Sequence, residues 1–212
     1  MPPAAQRIEL EPIGHVRTAY RRMEDTPIQT HRNPSEPGRL VVEERYADAL
    51  DGLEGFDYVH LLCFLAEAWD AVGRGSRPVT GDRLRPVPFL LAHTGQRVGV
   101  FATRAPVRPN YLALSLVRVV AVRGNQVDFT GVDLLDGTPV LDVKPFEPRL
   151  DIPGYTPGSG WLDHIRGGWY HQPDAAANPL VRPGRAGLRG LGLEPPVDSQ
   201  TVPPTDPTRE DP

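Results

Sequence analysis

The longest β-favouring run of the chain, Leu112–Val122, is followed at once by Gly124-Asn125 and a second such run, Val127–Val132. A Gly-Asn pair between two runs of this kind is the chemistry of a tight hairpin turn. Within the first run Leu112, Leu114, Leu116, Val120 and Val122 recur on one face at a period of two. Leu40–Val42, Val59–Leu65, Val98–Ala102 and Val140–Val143 have the same apolar, β-branched character and the same Gly, Pro, Asn or Asp boundaries. Asp136-Gly137 reads as a further hairpin turn, and Tyr46–Leu53 and Ala66–Ala71 as short helices. Many short strands joined by tight turns predict a mostly antiparallel barrel or sandwich.

At 212 residues the chain can bury one good core, or one core and a small appendage. The appendage is visible in composition. Eleven of the 25 prolines lie in residues 151–212, and no Phe, Trp or Tyr follows Tyr170. Such sequence buries too little apolar area to offset its conformational entropy, so residues 172–212 are expected to be a disordered tail. Residues 153–171 hold Trp161, Trp169 and Tyr170 and predict a short amphipathic helix on the barrel or on a second subunit. The barrel itself is placed at residues 8–152.

The formal charge of −4 gives no global basic field, so a nucleic-acid partner would need a local patch of arginine or lysine. Cys63, the single cysteine, reads as a small buried hydrophobe. The six histidines show no metal-ligand spacing, and no metal is expected. Neither a secretory signal nor an apolar stretch of membrane-span length is visible, which predicts a soluble cytoplasmic protein without a membrane or DNA partner. Dinucleotide, P-loop and hydrolase signatures are absent from the sequence.

Chemistry concentrates in Val98-Gly-Val-Phe-Ala-Thr-Arg-Ala-Pro-Val-Arg-Pro-Asn110. Pro106 and Pro109 fix φ and stiffen the backbone that carries Arg104, Arg108 and Asn110. Two guanidinium groups and an amide on one rigid loop suit an anionic or nucleotide-like ligand. A proline-rich turn with solvated arginines is the alternative reading of the segment alone.

Further segments give the loop a context. Pro12-Ile-Gly14, Pro27-Ile-Gln29, Leu53-Glu-Gly-Phe-Asp57 and Asp133-Leu-Leu-Asp-Gly-Thr-Pro-Val-Leu-Asp-Val-Lys-Pro145 flank it in order. Together these resemble the TsaA-like family, whose characterised members include the TrmO-type tRNA adenine-N6 methyltransferases. The family pattern is similar to G-V-F-A-T-R-S-P-x-R-P-N-P-I-G-L-S, then D-L-L-D-G-T-P-V-L-D-I-K-P. The resemblance spans roughly residues 8–152.

The resemblance implies a small closed antiparallel β-barrel, S-adenosylmethionine as cofactor, tRNA as partner and a homodimer. The substrate it implies is N6 of threonylcarbamoyl-adenosine beside the tRNA anticodon. Pro27, Ile28, Gln29, Ala66, Glu67, Arg104, Leu114 and the turn Asp136, Gly137, Thr138, Pro139 match its cofactor positions. Gln29 offers amide groups and Arg104 a fork for a carboxylate or hydroxyls. Leu114 suits an adenine face, Glu67 would set a carboxylate near the sulfonium, and the turn would present backbone polar groups. Arg108, Asn110 and Tyr111 stand on the acceptor side, with Tyr111 a platform for a splayed-out base. No catalytic base is identified.

The chain departs from the pattern at Tyr111 for Pro, Ala113 for Gly, Ile28 for a basic residue, and Tyr58 and His60 for His and Trp. The larger C-terminal domain of some relatives has no counterpart in the sequence. These departures keep two alternatives open: a methyltransferase of a small molecule, and a non-catalytic cofactor-binding module.

Overall fold

The computed structural model describes residues 8–27, 34–66, 79–153 and 160–164. Among these, six strands carry the fold: β1 (Gly14–Arg17), β2 (Pro37–Val42), β3 (Tyr58–Phe64), β4 (Leu112–Arg123), β5 (Gln126–Thr130) and β6 (Pro139–Pro145). They form a closed barrel in the order β1-β2-β5-β4-β3-β6, with β6 returning to β1, and every pairing is antiparallel. The expected small closed antiparallel barrel is the observed fold.

Alternation sets the inside. Val16, Leu40, Val42, Val59, Leu61, Val117, Val127, Phe129 and Val140 are buried together with Cys63. Removing each large aliphatic chain from water contributes about 1.5–3 kcal/mol. Two glycines let strands approach closely. A methyl group on Gly14 would fall 2.3 Å from the Val41 carbonyl oxygen, and one on Gly38 would fall 2.5 Å from the Phe129 ring. Phe129 fills the space that Gly38 vacates across the β2–β5 pair.

Several sequence expectations are corrected. On β4 the buried face is Ser115 and Val117, with Val119 packed against the core, so Leu112, Leu114 and Leu116 point outward and Leu114 is 49% exposed. A bulge between Val119 and Ala121 then reverses the parity, which leaves Val120 exposed and packs Val122 against the core. Val98–Ala102 is not a strand but leads into a 3-10 turn, Val100–Ala102. A closed barrel has no free edge for it to extend. Asp136-Gly137 is a turn but not a hairpin, because β5 and β6 are not neighbours. The predicted helix at Tyr46–Leu53 is two 3-10 turns, Glu44–Leu50 and Leu53–Gly55, separated at the left-handed Gly52.

Only Ala66 of the second predicted helix lies among the described residues. After β6 the chain makes one helical turn, Pro148–Asp151, and a 3-10 turn at Gly160–His164. There the Trp161 indole N–H donates to the Ala102 carbonyl at 2.8 Å, so this part of the extension packs on the arginine loop. The predicted disordered tail, residues 172–212, lies outside the described residues.

Candidate functional site

The turn between β5 and β6 is fixed from several directions. Gly137 adopts φ +80°, a conformation that costs glycine little. The backbone N–H groups of Asp136, Gly137 and Thr138 donate to the carbonyls of Tyr20, Val16 and Leu135. The Asp136 side chain, only 9% exposed, accepts from the Thr18 N–H at 3.1 Å. It also pairs with Arg17 at 3.3 Å and with Arg21. Thr18 and Thr138 are buried, and their hydroxyls donate to the Leu134 and Leu135 carbonyls. The expected backbone polar groups are therefore spent as donors inside the fold. The Thr138 carbonyl is engaged as well, accepting the Val16 N–H at 2.9 Å, so the acceptors this turn can offer a ligand are its other carbonyls.

The arginine loop is held differently. Thr103 donates its hydroxyl to the Val100 carbonyl and accepts the Ala105 N–H, which closes the bend ahead of Pro106. Arg104 is exposed and donates from Nη2 to the Leu114 carbonyl at 3.0 Å. On β6, Asp142 pairs with Lys144 at 2.9 Å. Arg108 turns back on its own loop and donates to the Thr103 carbonyl at 3.2 Å. Asn110 is exposed.

Tyr111 corrects an expectation. It is 4% exposed and packs with Val79, Phe64, Leu65, Leu84 and Val107. Its ring is an anchor of the loop, closed off from a stacking base. The backbone there has φ +53°, uncommon for an aromatic residue, and the Tyr111 carbonyl accepts the Leu65 N–H at 2.8 Å. That bond sets half-buried Ala66, the next residue, beside the end of the arginine loop.

The two halves meet through β4. Ser115, next to Leu114, is buried and donates to Asp133 at 2.7 Å, three residues before Asp136. Arg104 thus bonds to Leu114, the neighbouring Ser115 bonds to Asp133 three residues ahead of the Asp136 turn, and Ala66 borders the loop. Pro27 is buried, while Ile28, Gln29 and Glu67 lie outside the described residues. Reading the sequence assigned no role to Thr18, Arg17, Arg21, Ser115 or Asp133. Ser115 and Asp133 stood inside the quoted motifs, whereas nothing local marked the first three. Cys63, across from Ala113 and Val140, has its thiol pushed up to about 12 by burial and, secondarily, by the charge of Asp133.

Chemically, an exposed guanidinium held on the carbonyl of an exposed leucine offers donors for a carboxylate and an apolar surface for a flat ring. Residues 15–152 match the family described as the tRNA-methyltransferase O N-terminal domain. The chain belongs to this family.

Relatives of this methyltransferase O domain sharpen the picture. A protein of Pyrococcus abyssi (strain GE5 / Orsay), named a probable S-adenosyl-L-methionine-binding protein, is 32% identical over 158 residues, 74% of this chain and 73% of the relative. The mouse tRNA (adenine(37)-N6)-methyltransferase is 33% identical over 147 residues, 68% of this chain and 32% of that protein. The crystal structure of TrmO from Pseudomonas aeruginosa aligns with a TM-score of 0.54 at 30% identity, covering 72% of this chain and 62% of that one. The chain therefore spans less than two thirds of that solved methyltransferase O. Both the arginine loop and the Asp136 turn lie within the matched segment.

Proposed function

We propose that this chain is an S-adenosylmethionine-dependent methyltransferase acting on N6 of threonylcarbamoyl-adenosine beside the tRNA anticodon. One observation carries the reading: Arg104 lies hydrogen-bonded on the Leu114 carbonyl, with the Leu114 side chain exposed beside it. Membership of the methyltransferase O family and the names of its relatives support the cofactor and the reaction class.

The cofactor supplies a methyl group on a cationic sulfur when bound. Arg104 spends one N–H on Leu114 and keeps further donors of its fork for the methionine carboxylate. Leu114 would cover the adenine, and carbonyls of the Asp136–Pro139 turn not already engaged would accept from its amino group. Asp136 positions that turn by holding Thr18, Arg17 and Arg21. Pro27, Ile28, Gln29, Ala66 and Glu67 would complete the cofactor side by their match to the family's motif positions. Arg108 and Asn110 stiffen and border the acceptor side, and much of the acceleration comes from alignment of donor and acceptor.

A small-molecule acceptor is the second reading. It is favoured by the closing of Tyr111 into the loop and by the tie of Arg108 to Thr103, which leave the acceptor side little to grip a base. Incubation with methyl-labelled cofactor and tRNA bearing or lacking the threonylcarbamoyl group decides between them. The first reading predicts label on the modified adenosine alone. Label absent from tRNA but present in a metabolite extract contradicts it and selects the second. A homodimer belongs to the same proposal, and light scattering at the monomer mass would remove it.

A further inference from the structure

The outer wall of the barrel away from β3 carries an unusual ladder. Arg17 on β1 lies directly across from Arg39 on β2, which lies across from Asp128 on β5. Two arginines facing each other on adjacent strands repel. Each is drawn to a carboxylate on its far side. Arg17 reaches Asp136, which also holds Arg21, and Arg39 reaches Asp128 at 2.5 Å. Arg123, from the end of β4, closes on the other oxygen of Asp128 at 2.6 Å.

The result is a band of four arginines, Arg21, Arg17, Arg39 and Arg123, threaded on two aspartates. It crosses β1, β2 and β5 from the Asp136 turn to the β4–β5 hairpin. The carboxylates are sunk at 9% and 16% exposure, whereas Arg17, Arg21 and Arg123 are 48%, 63% and 71% exposed. The sunken acids fix the guanidinium groups, leaving Arg17, Arg21 and Arg123 with donors towards solvent and Arg39, 26% exposed, as the half-buried link between them. Locally the band bears two excess positive charges in a chain whose formal charge is −4. Past the other end of β1 the character inverts, with Glu11 and Glu43 sharing Arg45.

A positive stripe of preorganised forks, starting at the turn assigned to the cofactor, suits a chain of phosphates. We propose that this arginine band binds the sugar-phosphate backbone of RNA and leads it to the site. The inference deepens the tRNA reading above and rests on it for the identity of the RNA. Phosphate contacts position the nucleic acid and carry no base information, in keeping with a ladder that offers guanidinium groups alone.

The test is a salt titration of binding between the full chain and a fluorescent anticodon stem-loop RNA. Arg39 and Arg123 lie outside the cofactor site, so the variant R39A/R123A separates the two. The expected result is an affinity lower by roughly tenfold, a salt slope reduced by about two, and unchanged S-adenosylmethionine binding by calorimetry. Asp128→Asn guards against a merely structural effect. It removes a negative charge and should tighten RNA several-fold while lowering Tm, whereas a purely structural ladder loses Tm with no gain in affinity. Unchanged RNA affinity and slope in R39A/R123A, or altered self-association in its place, would overturn the band. Wild type that binds RNA through the band yet methylates none would overturn the tRNA reading and leave the band standing. Wild type that binds no RNA at low salt would remove both.

Discussion

The two halves of the candidate site are built in opposite ways. The Asp136 turn is held by three backbone N–H bonds, two threonine hydroxyls and a sunken carboxylate clamped by two arginines. Among the described residues the Arg104 loop has no strand partner. It is pinned by the Tyr111 ring in a small satellite cluster, by local bonds of Thr103 and Arg108, and by Trp161 on Ala102. Rigidity in the turn comes from bonds to distant strands, while in the loop it comes from one buried ring and a few mostly local bonds. A turn of the first kind suits fixed carbonyls for a flat base, and a loop of the second kind can adjust around a flexible carboxylate end.

If that contrast holds, the largest effect comes from the loop's anchor. Tyr111→Ala should lower stability by about 3 kcal/mol, the cost of emptying a buried aromatic site, and weaken cofactor binding as well. Denaturant unfolding reads this, and a loss below about 0.5 kcal/mol would show the ring is not the anchor. Asp136→Ala follows. It strands the Thr18 N–H and leaves Arg17 and Arg21 facing each other, for about 2 kcal/mol, with the exposed arginines contributing little of that. Asp136→Asn keeps an acceptor for Thr18 and should cost visibly less in the same assay.

A smaller effect probes the wall between the halves. Cys63 pairs with Ala113 on one side and Val140 on the other, and burial raises its thiol from 9.0 to about 12. The folded thiol thus keeps its proton where the unfolded one loses it. Stability from this group is fully present below about pH 9 and falls as pH rises towards 12. From pH 8 to pH 10 the wild type should lose about 1 kcal/mol more than Cys63→Ala. Parallel pH profiles would mean that water reaches the thiol and the wall is open.

Much of the barrel was legible because its longer strands are β-branched runs between turn residues. The Leu112–Val122 and Val127–Val132 runs mark β4 and β5, and Gly124-Asn125 marks their turn. β1 was not legible, since four residues that start at Gly14 and send His15 and Arg17 outward make no apolar run. Val98–Ala102 misled because composition cannot reveal that a closed barrel leaves no edge for a seventh strand. The proposed cofactor positions rest on motif order alone. Their supports were not legible: Thr18, Arg17 and Arg21 reach Asp136 across more than a hundred residues, a separation no local pattern carries. Tyr111 read as exposed beside the acceptor, and only the cluster with Val79 and Leu84 shows where the ring goes.

The central claim is that Arg104, held on the Leu114 carbonyl, grips the cofactor. Calorimetry of S-adenosylmethionine on wild type and Arg104→Ala tests it most directly, with unfolding measured alongside. The account predicts micromolar binding by the wild type, lost by tenfold or more in the variant, while stability changes by less than about 0.5 kcal/mol. Equal binding by both proteins, or none by the wild type at millimolar cofactor, would contradict it.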